Sequence, residues 1–224
     1  MKAYKILYKL TSRSRPDKFF QTIDNIYIHQ SFKSKFHIHC TLDSDDTTMH
    51  NNEVIDKLKK YTELSYKFDR SKNKIEAINR DFDTIDFDWD IVVNMSDDMV
   101  FTEKDFDKEI RRAFMEHFPD TDGCLHLPDG NQNENLITLA ILGKKYYNRF
   151  KYIYHPAYVS LWCDSEMTDV AKQLNKYVYI PKFMYKHMHP AWGLGKMDAQ
   201  YQRTESFFNV DKATYEQRKI NSFA

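Results

Sequence analysis

The sequence predicts an α/β protein with a mostly parallel central sheet flanked by helices, and three observations carry that prediction. Strand-like and helix-like segments alternate through the first 118 residues in the order β-α-β-α-β-α-β-α. The fourth strand-like segment, WDIVVNM over residues 89–95, is almost wholly apolar, as expected of a strand covered on both faces. The composition, 42% hydrophobic and 29% charged over 224 residues, is that of a globular chain long enough to bury one large core. Only five glycines and six prolines leave little material for a linker, so residues 1–224 are expected to form a single domain.

The elements follow in order. YKILYKL (4–10) reads as a buried strand, and Pro16 suits the first turn of a helix carrying Phe19, Phe20, Ile23, Ile26 and Tyr27. FHIHCTLD (36–43) alternates apolar Phe36, Ile38, Cys40 and Leu42 with His37, His39 and Thr41, a strand on whose face the histidines are structural. Asn51 and Asn52 are cap candidates for a helix bearing Val54, Ile55, Leu58 and Tyr61. LSYKF (64–68) is the third strand, and Ile75, Ile78 and Phe82 space a third helix. After the fourth strand, Thr102 is expected to cap a helix whose stripe is Phe106, Ile110, Ala113, Phe114 and Phe118, stopped by Pro119. The second half is less regular: CLHL, a polar loop DGNQNEN, a strand ITLAIL, a helix near GKKYYNRF, a helix over Met167–Leu174 and a short strand YVYI.

Several classes are excluded or disfavoured. With 33 basic and 33 acidic residues, no overall attraction to nucleic acid or anionic membrane is expected. The three cysteines, Cys40, Cys124 and Cys163, form no metal-binding spacing and point to a reducing compartment. Lysines interrupt the apolar residues of MKAYKILYKL, which reads as neither signal peptide nor membrane span; a soluble, cytoplasmic protein is expected.

Ligands of open α/β sheets bind outside the carboxyl ends of the strands. Each of the four N-terminal strands is followed there by a polar cluster. These are Thr11-Ser-Arg13-Ser-Arg15-Pro16, Asp43-Ser-Asp45-Asp46, Asp69-Arg70-Ser-Lys72-Asn73-Lys74 and Ser96-Asp97-Asp98. Together they offer acceptors for a ribose, carboxylates for a cation and positive charges for a diphosphate. The Asp97–Asp98 pair follows a strand too apolar to be exposed. Residue type alone leaves it either a Mg²⁺ or Mn²⁺ environment or a capped turn.

The order T-S-R-S-R-P, L-D-S-D-D, SKNKIEAIN and M-S-D-D-M resembles the nucleotide-binding half of GT-A glycosyltransferases, especially the large inverting family 2 group. The resemblance implies a Rossmann-like GT-A domain with residues 1–118 as its nucleotide-binding half and 119–224 as its acceptor and catalytic half. It implies donor contacts from Thr11, Arg13, Arg15, Asp43, Asn73, Lys74, Ser96 and Asp97, and a divalent cation on Asp97 and Asp98. The usual first carboxylate of the D-x-D element is absent, Met95-Ser96 standing where it is expected.

Trp162-Cys163-Asp164-Ser165-Glu166 is similar to the family's E-D-x-E segment, which makes Asp164 the implied base and Glu166 its neighbour. The alternative is a helix cap with a first-turn charge. A late histidine completes the metal shell in many such enzymes, which implies His189 first and His187 second. Asp129, in the turn Pro128-Asp129-Gly130, falls where sugar contacts occur in the family. Trp192 is expected to pack, and Gly193 and Gly195 to hinge a lid. The implied reaction transfers a sugar, with inversion, from a nucleoside diphosphate donor, most commonly UDP, to a hydroxyl of a glycan or other acceptor. Mn²⁺ or Mg²⁺ is the implied cofactor. A metal-dependent nucleotidyltransferase would show a glycine-rich phosphate loop after the first strand, which TSRSRP lacks; a non-catalytic sugar-nucleotide or glycan-binding module is the other alternative.

Overall fold

The computed structural model describes residues 4–31 and 35–224; the first three residues of the lysine-bearing N-terminal stretch lie outside them. The first half alternates as expected: β1 (Ile6–Ser12), α1 (Pro16–His29), β2 (Phe36–Asp43), α2 (Asn52–Leu58), β3 (Leu64–Asp69), α3 (Lys74–Asn79) and β4 (Ile91–Ser96). Then come β5 (Met99–Phe101), α4 (Phe106–His117), β6 (Cys124–His126), β7 (Ile141–Gly143), α5 (Lys144–Phe150) and α6 (Cys163–Gln173). The chain ends through β8 (Tyr177–Tyr179), β9 (Tyr185–His187), α7 (Ala199–Glu205) and α8 (Phe208–Ile220).

Seven strands form the central sheet in the order β3-β2-β1-β4-β7-β6-β8. β1 pairs in parallel with both β2 and β4, and β2 with β3; β7 enters antiparallel to β4. The chain thus winds outward from β1 to β3 and returns to β1's other side as β4. That reversal creates a crevice at the carboxyl ends of β1 and β4.

Strand alternation feeds two cores. Tyr8, Leu10, Val93 and Met95 pack with Phe19 and Ile23 of α1 and Ile110 and Phe114 of α4. Leu7 and Val92 face the other way, onto Ile75 and Ile78 of α3, Tyr146 of α5 and Met167 and Ala171 of α6. Asn51 caps α2 through the Val54 N–H, as its residue type favours.

Three local expectations are corrected. Thr102 does not cap α4: its N–H donates to the Met184 carbonyl at 2.9 Å, extending the pairing of β5 with β9. α4 instead begins after Asp105, which is left-handed at φ 61°. The apolar stretch 137–142 contributes ladder pairing only from Ile141 onward, and α3 stops at Asn79, leaving Phe82 to pack on Trp89 and Tyr147. Long-range aromatic contacts override the helical spacing there.

Gly143 ends β7 and precedes α5, and a methyl group there would overlap the Thr121 carbonyl oxygen, which backbone pairing holds in place. Gly143→Ala is therefore expected to destabilise the fold by ~1–3 kcal/mol, the usual cost of overpacking a site that cannot relax. Urea denaturation of the two proteins measures this, and an unchanged midpoint would contradict the close packing of β7 on the α4–β6 connection.

Candidate active site

The crevice at the β1–β4 reversal is lined by the loops after β1, β2 and β3, by residues 159–164 and by α7. Its floor includes Thr41, Ala77 and Asn94. Directly beneath, Lys9 is fully buried, its ammonium donating to Thr41 Oγ1 and toward the Ala77 carbonyl. Burial pushes Lys9 down to about 7, with nearby Asp81 opposing the shift.

β4 delivers Asp97 and Asp98 to this crevice, only 7% and 6% exposed. Asp97 accepts from Ser12 Oγ at 2.6 Å and from Arg15 Nη1 at 2.9 Å. Asp98 accepts from Ser96 Oγ at 2.6 Å and the Tyr201 hydroxyl at 2.8 Å, with His187 Nε2 at 3.4 Å from Oδ2. The two carboxyls separate electrostatically. Burial and the charge of Asp98 raise Asp97 above the ordinary carboxylate range despite Ser12 and Arg15. Burial also penalises ionised Asp98, but His187, Ser96 and Tyr201 more than offset it and hold Asp98 well below that range. Arg15 continues to Asp198 through a two-pronged pair at 2.9 and 2.6 Å, and its guanidinium lies 3.9 Å from the Tyr201 ring centre.

Asp164, in the first turn of α6, also lines the crevice. Burial raises its affinity for a proton; the Ser165 N–H and the ammonium of Lys74, from the start of α3, act in the opposite sense. The wall before it is fixed from the C-terminal end of the chain. Asp211 of α8, fully buried, accepts from the N–H groups of Val159, Ser160 and Leu161 at 2.8, 2.8 and 2.7 Å.

The crevice therefore gathers Thr11, Arg13, Arg15, Asp43, Asn73, Lys74, Ser96, Asp97, Asp98, Asp164, His187 and His189. Some of these are already engaged. The Asn73 amide oxygen caps α3 through the Glu76 N–H, Arg13 binds both Asp43 and Asp45, and Ser96 orients Asp98. His189 accepts from the Ala191 N–H, and burial, followed by the charge of His187, lowers its pKa.

Two expected site residues lie elsewhere. Glu166 points away from the crevice to Arg218, at 2.7 and 2.9 Å, and to the Tyr158 hydroxyl at 2.7 Å. Asp129 turns inward to accept from the N–H groups of Asn131 and Gln132 and from Thr138 Oγ1, so it organises its own turn. Trp192, expected to pack, is 42% exposed. Gly193 closes a 3-10 turn over Pro190–Trp192 in the left-handed region, and a methyl group at Gly195 would overlap the Met188 carbonyl. Sequence reasoning missed Asp198 and Tyr201. Asp198 caps α7 through the Tyr201 N–H, a signature visible in the sequence, but the link to Arg15 spans 183 residues.

Among the described residues, no group of three or more His, Cys, Asp and Glu side chains is arranged to hold a metal ion. Asp98 and His187 nevertheless converge as an oxygen and a nitrogen donor, a set suited to Mn²⁺, while Asp97 is turned to Arg15. Two such donors could hold a cation only together with ligands from outside this pair.

No protein-family model matches the sequence, and no curated protein matches it either. Solved structures do. The mannosyltransferase PcManGT from Pyrobaculum calidifontis, in complex with GDP-Man and Mn²⁺, superposes with a TM-score of 0.68 at 12% identity, over 86% of this chain and 60% of that one. S. aureus TarS 1–349 gives a TM-score of 0.63 at 14% identity, over 81% of this chain and 60% of that one. Its complex with UDP-GlcNAc gives 0.63 at 13% identity, over 81% and 58%. The chain thus spans about three-fifths of the length of these structures. At such identities the likeness is one of fold, and it is the Rossmann-like glycosyltransferase fold that the sequence resemblance implied. No helix among the described residues is long and apolar enough to cross a membrane.

Glu166→Gln is expected to lower stability by ~1–3 kcal/mol, since it weakens buried hydrogen bonds to a charged partner. Nucleotide affinity should stay within twofold. A melting curve and a nucleotide titration on the same variant test this; a normal melting temperature with lost affinity would return Glu166 to the site.

Proposed function

We propose that this chain transfers a glycosyl group from a nucleoside diphosphate sugar to an acceptor hydroxyl, with inversion and with help from a divalent cation. One observation carries the reading. The crevice holds both Asp98, kept ionised by its hydrogen-bond donors, and Asp164, whose proton affinity burial raises, so that a leaving group and an attacking hydroxyl can each be served. The fold likeness to a GDP-mannose complex and a UDP-GlcNAc complex supports the donor class. In this reading residues 1–118 supply the nucleotide side and 119–224 the acceptor side of one domain.

Asp43 and Thr11, at the ends of β2 and β1 and both on the crevice, would contact the nucleoside. Asp98 and His187 would hold a Mn²⁺ or Mg²⁺ ion, which when bound supplies positive charge to the leaving diphosphate. Arg15 sits beside this point and can turn from Asp97 to the diphosphate, adding a second cation where charge develops. Asp164 takes the proton of the acceptor hydroxyl as the new bond forms on the face opposite the departing diphosphate. Burial suits that task, because a carboxylate with raised proton affinity is a stronger base.

Transfer needs ionised Asp164, so the rate should rise with pH through a limb above the ordinary carboxylate range and fall away on the acid side. Asp164→Asn should lower turnover by ~10²–10⁴-fold and remove that limb, while nucleotide affinity is retained. Steady-state transfer from UDP-GlcNAc and GDP-mannose, measured across pH, provides the test. Near-normal turnover in the Asn variant would end the base assignment.

The cation makes a separate demand. Calorimetric titration with UDP and GDP should show binding that tightens at least several-fold on adding Mn²⁺, and Asp98→Asn should abolish that gain. Equal affinity with Mn²⁺ and with EDTA would remove the metal from the mechanism.

A further inference from the structure

Buried polar atoms without a partner are costly, about 1–3 kcal/mol each, and native chains retain few of them. Among the described residues, Asn94 Oδ1 and Ser160 Oγ are two such atoms, and both residues line the crevice. Each residue is only 5% exposed. Asp43 Oδ1 is the third unpartnered atom on the crevice, but Arg80 lies 3.7 Å from it.

Both residues are held rigidly. Asn94 is on β4, two positions before Ser96 and on the same face, and its side chain lies beside Tyr154. Ser160 has its backbone N–H fixed by Asp211, and its carbonyl is 3.9 Å from the Cys163 sulfur, one residue before Asp164. Asn94, three residues before Asp97, and Ser160, four residues before Asp164, therefore each present an unpartnered polar atom on the crevice.

We infer that Asn94 and Ser160 form the recognition pocket for the transferred sugar, hydrogen-bonding its ring hydroxyl or acetamido groups. The inference rests on the proposed transfer reaction, and its geometry follows from that reaction. With the diphosphate at Asp98 and the base at Asp164, the anomeric carbon has to sit between them, and the sugar ring extends over Asn94 and Ser160. The nucleoside lies at the β1–β3 ends, on the opposite side. A site that presents fixed, otherwise unpaired polar atoms discriminates strongly against a ligand that cannot pair with them.

The test separates the sugar from the nucleotide. Titrate wild type, Asn94→Leu and Ser160→Ala with UDP, UDP-GlcNAc, GDP and GDP-mannose, each with Mn²⁺. The preferred sugar nucleotide should weaken by ~5–10-fold in each variant, about the worth of one hydrogen bond. The matching free diphosphate should stay within twofold. Ser160→Ala removes an atom with no protein partner, so its melting temperature should not fall, which keeps one arm readable if Asn94→Leu disturbs Tyr154. Equal weakening of sugar nucleotide and free diphosphate would overturn the assignment to the sugar, as would no weakening of either. A wild-type chain that binds nucleotides normally in that case leaves the transfer reading standing. One that binds none of the four overturns the transfer reading and the sugar pocket with it.

Discussion

Two adjacent carboxylates at the buried end of a strand have to be compensated, and much of the chain's second half is arranged around that need. Asp97 and Asp98 leave β4 into a region where water is largely excluded, so neither could stay ionised beside the other without partners. β1 supplies Ser12 and, just beyond it, Arg15; β9 brings His187; α7 brings Tyr201. Arg15 is itself balanced by Asp198, which Lys18 also approaches at 3.5 Å. The short β5–β9 sheet makes sense in this frame. It pairs Met99, the residue after Asp98, with His187, and so fixes the imidazole against the carboxylate.

The same residue type takes three electrostatic forms within this crevice. Asp98, with hydrogen-bond donors on both oxygens and an imidazole alongside, favours its ionised state. Asp97 gains less from Ser12 and Arg15 than it loses to burial and to its neighbour's charge, so it favours a proton more than a free carboxyl does. Asp164 has few donors and a burial cost, with Lys74 only partly restoring the charge. Environments that push like groups apart are how a site assigns different work to identical side chains. A carboxylate that stays ionised suits cation binding, and one eager for a proton suits the acceptor side.

The first half of the fold was legible because its signals are local. Apolar runs at Ile6–Leu10 and Ile91–Met95, the alternation of FHIHCTLD, Pro16 and the Asn51 cap each act within a few residues. Their polar successors necessarily met at one sheet edge once the strands ran parallel. What the sequence did not disclose depends on distant partners. Thr102 has the composition of a cap but serves a strand pairing with a segment more than eighty residues away. Glu166 fits a catalytic motif by spacing, yet Arg218 and Tyr158 claim both its oxygens, a pairing that only the position of α8 reveals. α7 and α8 bury few apolar residues, α7 being capped by Asp198 and α8 tied to α6 by ion pairs, so hydrophobic periodicity passed over them.

That dependence on α8 bears on how the Asp164 side of the crevice, built from a loop, can be held exact. Residues 159–161 form a loop, and loops seldom hold side chains firmly. Here three consecutive N–H groups converge on Asp211, while Trp162 packs against Phe208 and Tyr215 of the same helix. Glu166 with Arg218, and Asp169 with Lys219, tie α6 to α8 one and two turns further on. The loop and the helix carrying Asp164 are thus clamped to one support on the side away from the ligand. Behind the wall the backbone N–H groups of residues 159–161 are paired, whereas on the crevice Ser160 Oγ and Asn94 Oδ1 are not. A wall that satisfies its backbone from behind can leave side chains unsatisfied in front without collapsing, and that asymmetry is what a ligand-binding surface requires.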